Sequence, residues 1–128
     1  NGSLDLFGIL TSSVHMTWIR VVAGRLGTGF RYATNIVYNT FPFPNLNSKQ
    51  KSRIEKTAKK ILDIRSKYPD SSLADLYDPN LMPPDLRKAH EENDRAILDA
   101  YNFPRNISES EIVSRLFEMY KDLIKNAD

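Results

Sequence analysis

The sequence predicts an α+β fold that is mostly α: a short β remnant followed by a small helical bundle. Three observations predict it. Apolar residues recur at helical spacing in one segment before residue 24 and in three long segments after residue 47. Between these regions, residues 30–33 and 35–39 alternate apolar and polar with aromatic and β-branched side chains, the pattern of one bent strand or two short ones. The regions meet at Phe41-Pro42-Phe43-Pro44, where neither proline can donate to a strand ladder. The expected division is residues 1–46 and residues 47–128.

Leu4 to Leu10 is apolar but too short to show a period. In the next segment Val14, Trp18, Val21 and Val22 stand at i, i+4, i+7 and i+8, which puts them on one buried helical face with Arg20 off it. Ser12 or Ser13 can cap the free N–H groups at its start, and Gly24 can end it in a left-handed conformation. Gly24, Gly27 and Gly29 then place three glycines within six residues and predict a loop.

After the Phe-Pro steps, Asn47 and Gln50 have capping-box spacing. Ile54, Ala58, Ile61 and Leu62 form the stripe of a helix running to about Lys67, where Pro69 stops it. A short helix is expected from Ser72 to Tyr77, with Asp75 and Asp78 as turn and cap residues. Pro84 suits a first helical turn, and Leu86, Ile97, Ala100 and Tyr101 mark the buried face of the helix it opens. Ser108 and Glu111 form a second capping box, before a stripe of Ile112, Val113, Leu116, Phe117, Tyr120, Leu123 and Ile124. Three long helices with short connections make a small bundle.

Composition narrows the function. With 128 residues, 41% hydrophobic and 27% charged, the chain is an ordinary globular one. No apolar run reaches membrane-spanning length, and no signal-peptide pattern opens the sequence. The absence of cysteine removes disulfides and thiolate metal sites and fits a cytoplasmic setting. His15 and His90 lack a neighbouring nucleophile or carboxylate in a catalytic arrangement, and the glycines follow a helix rather than a strand, so neither a catalytic triad nor a nucleotide-binding loop is present. Trp18 and His90 read as packing residues.

The net charge is +2, but it is polarised. Asn47 to Lys67 carries eight basic and two acidic residues, whereas Tyr68 to Asp128 carries seven basic and thirteen acidic. A basic front with an acidic back can turn one side to a polyanion. On the basic helix, Lys49, Lys56, Lys60 and Lys67 line one row opposite the apolar stripe, over about 27 Å at 1.5 Å per residue. This row either follows a phosphate backbone or solubilises the helix with help from a Glu55–Lys59 pair.

Two segments carry a resemblance. Residues Phe7-Gly8-Ile9-Leu10-Thr11-Ser12-Ser13-Val14-His15-Met16-Thr17-Trp18-Ile19-Arg20, with Gly24-Arg25-Leu26, Phe30-Arg31-Tyr32 and Ile36-Val37-Tyr38-Asn39-Thr40-Phe41-Pro42, resemble the end of the target-recognition domain of MmeI-like enzymes. Ser72-Leu73-Ala74-Asp75-Leu76-Tyr77-Asp78-Pro79, with Met82-Pro83-Pro84, Leu86, Lys88-Ala89-His90, Asp94-Arg95-Ala96 and Ala100-Tyr101, resembles the helical C-terminal domain that follows. That family consists of single-chain adenine-specific DNA methyltransferases, many fused to a restriction nuclease.

The resemblance implies a parent that uses S-adenosylmethionine, binds double-stranded DNA and carries its methyltransferase domain upstream in the same chain. The catalytic and methyl-donor motifs of the family are absent here, so the fragment would be inactive by itself. It also implies that the loop of Arg25, Gly27, Thr28, Gly29 and Arg31 touches DNA. Family members commonly place charged side chains where this chain has Gly27 and Gly29, so no side-chain hydrogen bond can come from those two positions. Arg31 keeps a guanidinium that can meet a guanine edge or a phosphate, or pack on Tyr32 or Tyr38. With Lys56 and Lys60 on the basic helix, these are the candidate DNA contacts. The alternative to DNA recognition is a helical module that braces neighbouring domains, with RNA binding behind both.

Overall fold

A computed structural model of the chain describes residues 3–26 and 40–126, with the side chains of 23–26 and 126 outside the description. Among the described residues six helices follow one another: α1 (Leu4–Leu10), α2 (Ser13–Leu26), α3 (Ser48–Arg65), α4 (Leu73–Leu76), α5 (Pro84–Ala100) and α6 (Glu109–Asn126). The described residues contain no strand, so the α+β class is corrected to an all-helical one. The strands expected at 30–33 and 35–39 lie outside the described residues. Two local outcomes support the correction. Leu4–Leu10 forms a helix, and α2 continues through Gly24 to Leu26 instead of ending there. A glycine costs a helix interior only about 1 kcal/mol, a penalty that packing readily overrides.

Helices α3 and α5 form the most extensive pair, and α1 lies across α3. The α1 crossing is close because residue 8 has no Cβ. One built there would stand 2.8 Å from Ile54 Cγ2 and 3.1 Å from Asn93 Oδ1. Asn93 is fully buried at this crossing. Its Nδ2 donates to the Gly8 carbonyl at 2.9 Å, and its Oδ1 accepts from the Thr57 hydroxyl at 2.7 Å. A buried amide is stable there because both ends are satisfied.

Helix α2 packs on α6 and also reaches α5. Trp18, 1% exposed, sits between Phe117 at 4.9 Å and Phe41 at 6.0 Å between ring centroids. Phe41 also takes the edge of His15 at 4.7 Å. The Phe-Pro segment is therefore a strap drawn into the core, and the Tyr101 hydroxyl fixes it by donating to the Pro42 carbonyl at 2.8 Å. One buried cluster takes Ile9, Val14, Trp18 and Phe41 together with Ile54, Ile97, Ile112 and Leu116.

The helix ends follow local chemistry. Both halves of the Asn47–Gln50 capping box form. Ser12 Oγ accepts from the His15 N–H, Ser72 caps α4, and Ser108 Oγ accepts from the Glu111 N–H. Asn102, at φ 60°, ends α5 in the left-handed region, with the Phe103 N–H closing on the Leu98 carbonyl at 2.9 Å. Asp78 is a turn residue, accepting from the Asn80 N–H at 2.7 Å.

Three further expectations are corrected. Leu62 is 38% exposed, and Ile64 takes the buried place expected for it. Leu123 and Ile124 end the α6 stripe in solvent, at 57% and 52% exposure. Lys59 pairs with Asp63 at 2.9 Å rather than with Glu55.

Candidate nucleic-acid interface

The candidate residues fall into two groups. Arg25 lies in the last turn of α2, with its side chain outside the described residues. Gly27, Thr28, Gly29 and Arg31 lie outside them altogether. What the structure fixes is where their segment departs and returns: it leaves at the end of α2 and re-enters at Thr40, beside the Phe41 strap.

Lys56 and Lys60 both lie on the exposed side of α3, but their surroundings differ. Among the described residues Lys56 makes no ion pair, and neither do Lys49 and Lys51. Lys60 Nζ is held by Glu92 of α5, at 3.1 and 3.3 Å from its two carboxylate oxygens. Arg53 reaches Asp99 at 2.6 Å, and Arg105 reaches the same carboxylate at 3.0 Å. These two guanidiniums, Arg105 foremost, hold the Asp99 carboxyl below its usual range. The side of α3 that faces α5 is thus neutralised by α5's acids, while Lys49, Lys51 and Lys56 keep their charge available. Lys67 falls beyond the end of α3, so the row of four lysines is a row of three on the helix itself.

The two histidines are packing residues with distinct partners. His15 Nδ1 donates to the Leu10 carbonyl at 3.1 Å, while Nε2 is buried without a partner among the described residues, the arrangement of a neutral ring. Burial lowers its pKa. His90 Nε2 meets the Tyr77 hydroxyl at 2.6 Å, and burial followed by the nearby Arg65 charge lowers its pKa too. Arg65 lies over the rings of both Phe7 and Tyr77 at 5.8 Å.

Sequence reasoning missed a set of side chains that hold α2. Asp94, on α5, accepts from the Ser13 backbone N–H at 2.9 Å, across 81 residues of sequence. Its carboxyl is raised above its usual pKa by burial, partly opposed by that hydrogen bond. Arg20 reaches Glu109 at the start of α6 at 2.6 Å. Asn93 carried a readable signal, since a polar residue at i+7 from Leu86 stands on the buried face. Asp94 and Glu109 carried none.

An open groove of about 720 Å³ separates α2 from α6, floored by Val21, Val113 and Phe117. No group of His, Asp or Glu among the described residues could hold a metal ion. None of the described helices is long and apolar enough to cross a membrane.

Comparison with known proteins decides the family. Residues 46–127 match the model of the MmeI C-terminal domain, and residues 1–45 match that of the MmeI target recognition domain. The chain belongs to the MmeI family. DNA methyltransferase A of Bacillus subtilis (strain 168) is 42% identical to it over 123 residues, which is 96% of this chain and 14% of that protein. The structure of the type IIL restriction-modification enzyme MmeI in complex with DNA superposes with a TM-score of 0.87 at 42% identity, covering 98% of this chain and 17% of the MmeI chain. The chain therefore comprises the family's target-recognition segment and C-terminal domain, and it spans 14% and 17% of the length of these two relatives.

Proposed function

We propose that this region lets a larger adenine-specific DNA methyltransferase choose its target on double-stranded DNA, and that it carries no catalysis of its own. The observation that carries the reading is the likeness, at 42% identity over nearly the whole chain, to an enzyme whose structure was determined with DNA bound. In this reading the methyl donor, S-adenosylmethionine, is held by the methyltransferase domain upstream in the same chain. Arg25, Thr28 and Arg31, with the backbone of Gly27 and Gly29, meet the DNA, and Lys56 adds a phosphate contact that carries no sequence choice. Lys60 has a smaller part because Glu92 already holds it.

Arg31 gives the sharpest test. In the full-length parent, Arg31→Ala is expected to relax the methylated sequence at one position, at a cost of about 1–3 kcal/mol of discrimination. Sequencing the sites methylated in a randomised duplex pool measures this. A mutant with the wild-type site profile and affinity removes Arg31 from the DNA contacts. A second reading, in which the C-terminal helices chiefly brace, is favoured by the Ser13–Asp94 bond and by the pairing of Arg53 and Lys60 with α5 acids.

A further inference from the structure

We infer that Asp94 is a positioning residue for target choice: by holding the first turn of α2, it sets the direction in which that helix delivers the recognition segment. The inference rests on the proposed role of the loop that follows α2 and assigns Asp94 no contact with DNA.

The geometry is that of a helix held at several heights by later parts of the chain. At its foot, the Ser13 N–H is one of the donors that an α-helix leaves without an internal partner, and Asp94 of α5 accepts it at 2.9 Å. In the middle, Trp18 is enclosed by Phe41 from the strap and Phe117 from α6. Above it, Arg20 reaches Glu109 at 2.6 Å. These grips differ in what they fix. The aromatic packing resists translation but tolerates small rotations, because dispersion is spread over many contacts. The Arg20–Glu109 pair joins two exposed side chains and orients weakly. The Asp94 bond is directional, carries a charge, and ends on backbone rather than on a rotatable side chain.

The distance from this bond to the segment it serves amplifies its effect. From Ser13 to Leu26 the helix rises about 20 Å at 1.5 Å per residue. A tilt of about 10° at the foot moves the far end by about 3 Å. A hydrogen bond to a base edge works over a far narrower range, with donor and acceptor about 2.7–3.2 Å apart. Loss of the pin therefore degrades base reading while leaving the phosphate contacts of α3 in place. With Gly27 and Gly29 supplying no reach of their own, target choice in this chain depends more on where the backbone is delivered.

The test uses the full-length parent and a randomised duplex DNA pool as the probe. Three quantities are read: affinity for the pool, its salt slope, and enrichment of the preferred sequence among bound molecules. Asp94→Ala is expected to lower the enrichment about tenfold, the scale of one lost helix cap, with pool affinity and salt slope unchanged. Asp94→Asn keeps an acceptor oxygen and is expected to retain the wild-type enrichment. Ser13→Pro removes the donor at a helix position that tolerates proline, and is expected to follow Asp94→Ala. It also carries the test if Asp94→Ala does not fold. Unchanged enrichment in a folded Asp94→Ala or Ser13→Pro overturns the inference. So does an Asp94→Asn as impaired as Asp94→Ala, since charge rather than the bond would then matter. A wild-type parent that enriches nothing removes the recognition reading itself, and this inference falls with it.

Discussion

Gly8 sets how closely α1 approaches the α3–α5 pair. A methyl group there meets the branched Cγ2 of Ile54, which cannot swing aside as a long side chain would, and the amide of Asn93, whose two hydrogen bonds fix it in place. Gly8→Ala is therefore expected to destabilise the protein by about 1–3 kcal/mol, the usual cost of overpacking a filled interior. A shift of the urea midpoint at constant slope measures it, and a variant as stable as wild type would show that α1 is free to move outward. The histidines give a second residue-scale outcome. His15 and His90 both have pKa values lowered from 6.5 in the folded chain. The unfolded chain then binds these protons more readily, so the stability they contribute is present above about pH 6.5 and is lost as pH falls. Asp94, raised from 3.8, works in the opposite sense as pH rises through the carboxylate range. The histidine effect is thus best read by difference: between pH 7 and 5 the Tm of His90→Gln is expected to fall less than that of wild type. Equal falls in the two proteins would contradict this.

At the scale of elements, α3 shows how one helix divides its charge. Lys56 points to solvent without an ion pair among the described residues, whereas Lys60 is tied to Glu92. If α3 follows a phosphate backbone, Lys56→Gln in the full-length parent is expected to flatten the slope of log affinity against log salt by up to about 0.9, and Lys60→Gln by less. Equal slopes for wild type and Lys56→Gln would leave α3 as a solvated surface. Most helices were legible in the sequence because their signals are local. The capping boxes, Pro84 and the stripe of Leu86, Ile97, Ala100 and Tyr101 each speak about residues within a turn or two. The rest depended on neighbours far along the chain. Leu62 and Ile64 flank the α3 stripe almost symmetrically at 100° per residue, so only the packing of other elements decides which is buried. Leu4–Leu10 is too short to show a period and becomes a helix with Gly8 and Ile9 buried where α1 crosses α3. The cap on Ser13 comes from 81 residues away, and no local pattern announces it. Of the candidate site, the basic face was legible as composition, but its division by Glu92 and Asp99 was not.

Across the whole molecule, the two family segments share one interior. Ile9, Val14 and Trp18 from the first pack in the same cluster as Ile54, Ile97 and Leu116 from the second, with the Phe41 strap between them. Chemical denaturation is accordingly expected to show one transition, coincident by tryptophan fluorescence, which reports Trp18, and by far-ultraviolet circular dichroism, which reports the helices together. Separate midpoints would mean that the halves unfold independently. The shared interior also bears on how the chain is made. Ser13 emerges during synthesis long before Asp94, and at about 5–20 residues per second the ribosome needs roughly 4–16 s to add the 81 residues between them. For that interval α1 and α2 exist without the helices that cover Ile9, Val14 and Trp18, and the nascent chain displays an apolar surface that its own later residues must hide. Slower translation of the residues after α2 is expected to lengthen that exposure in proportion.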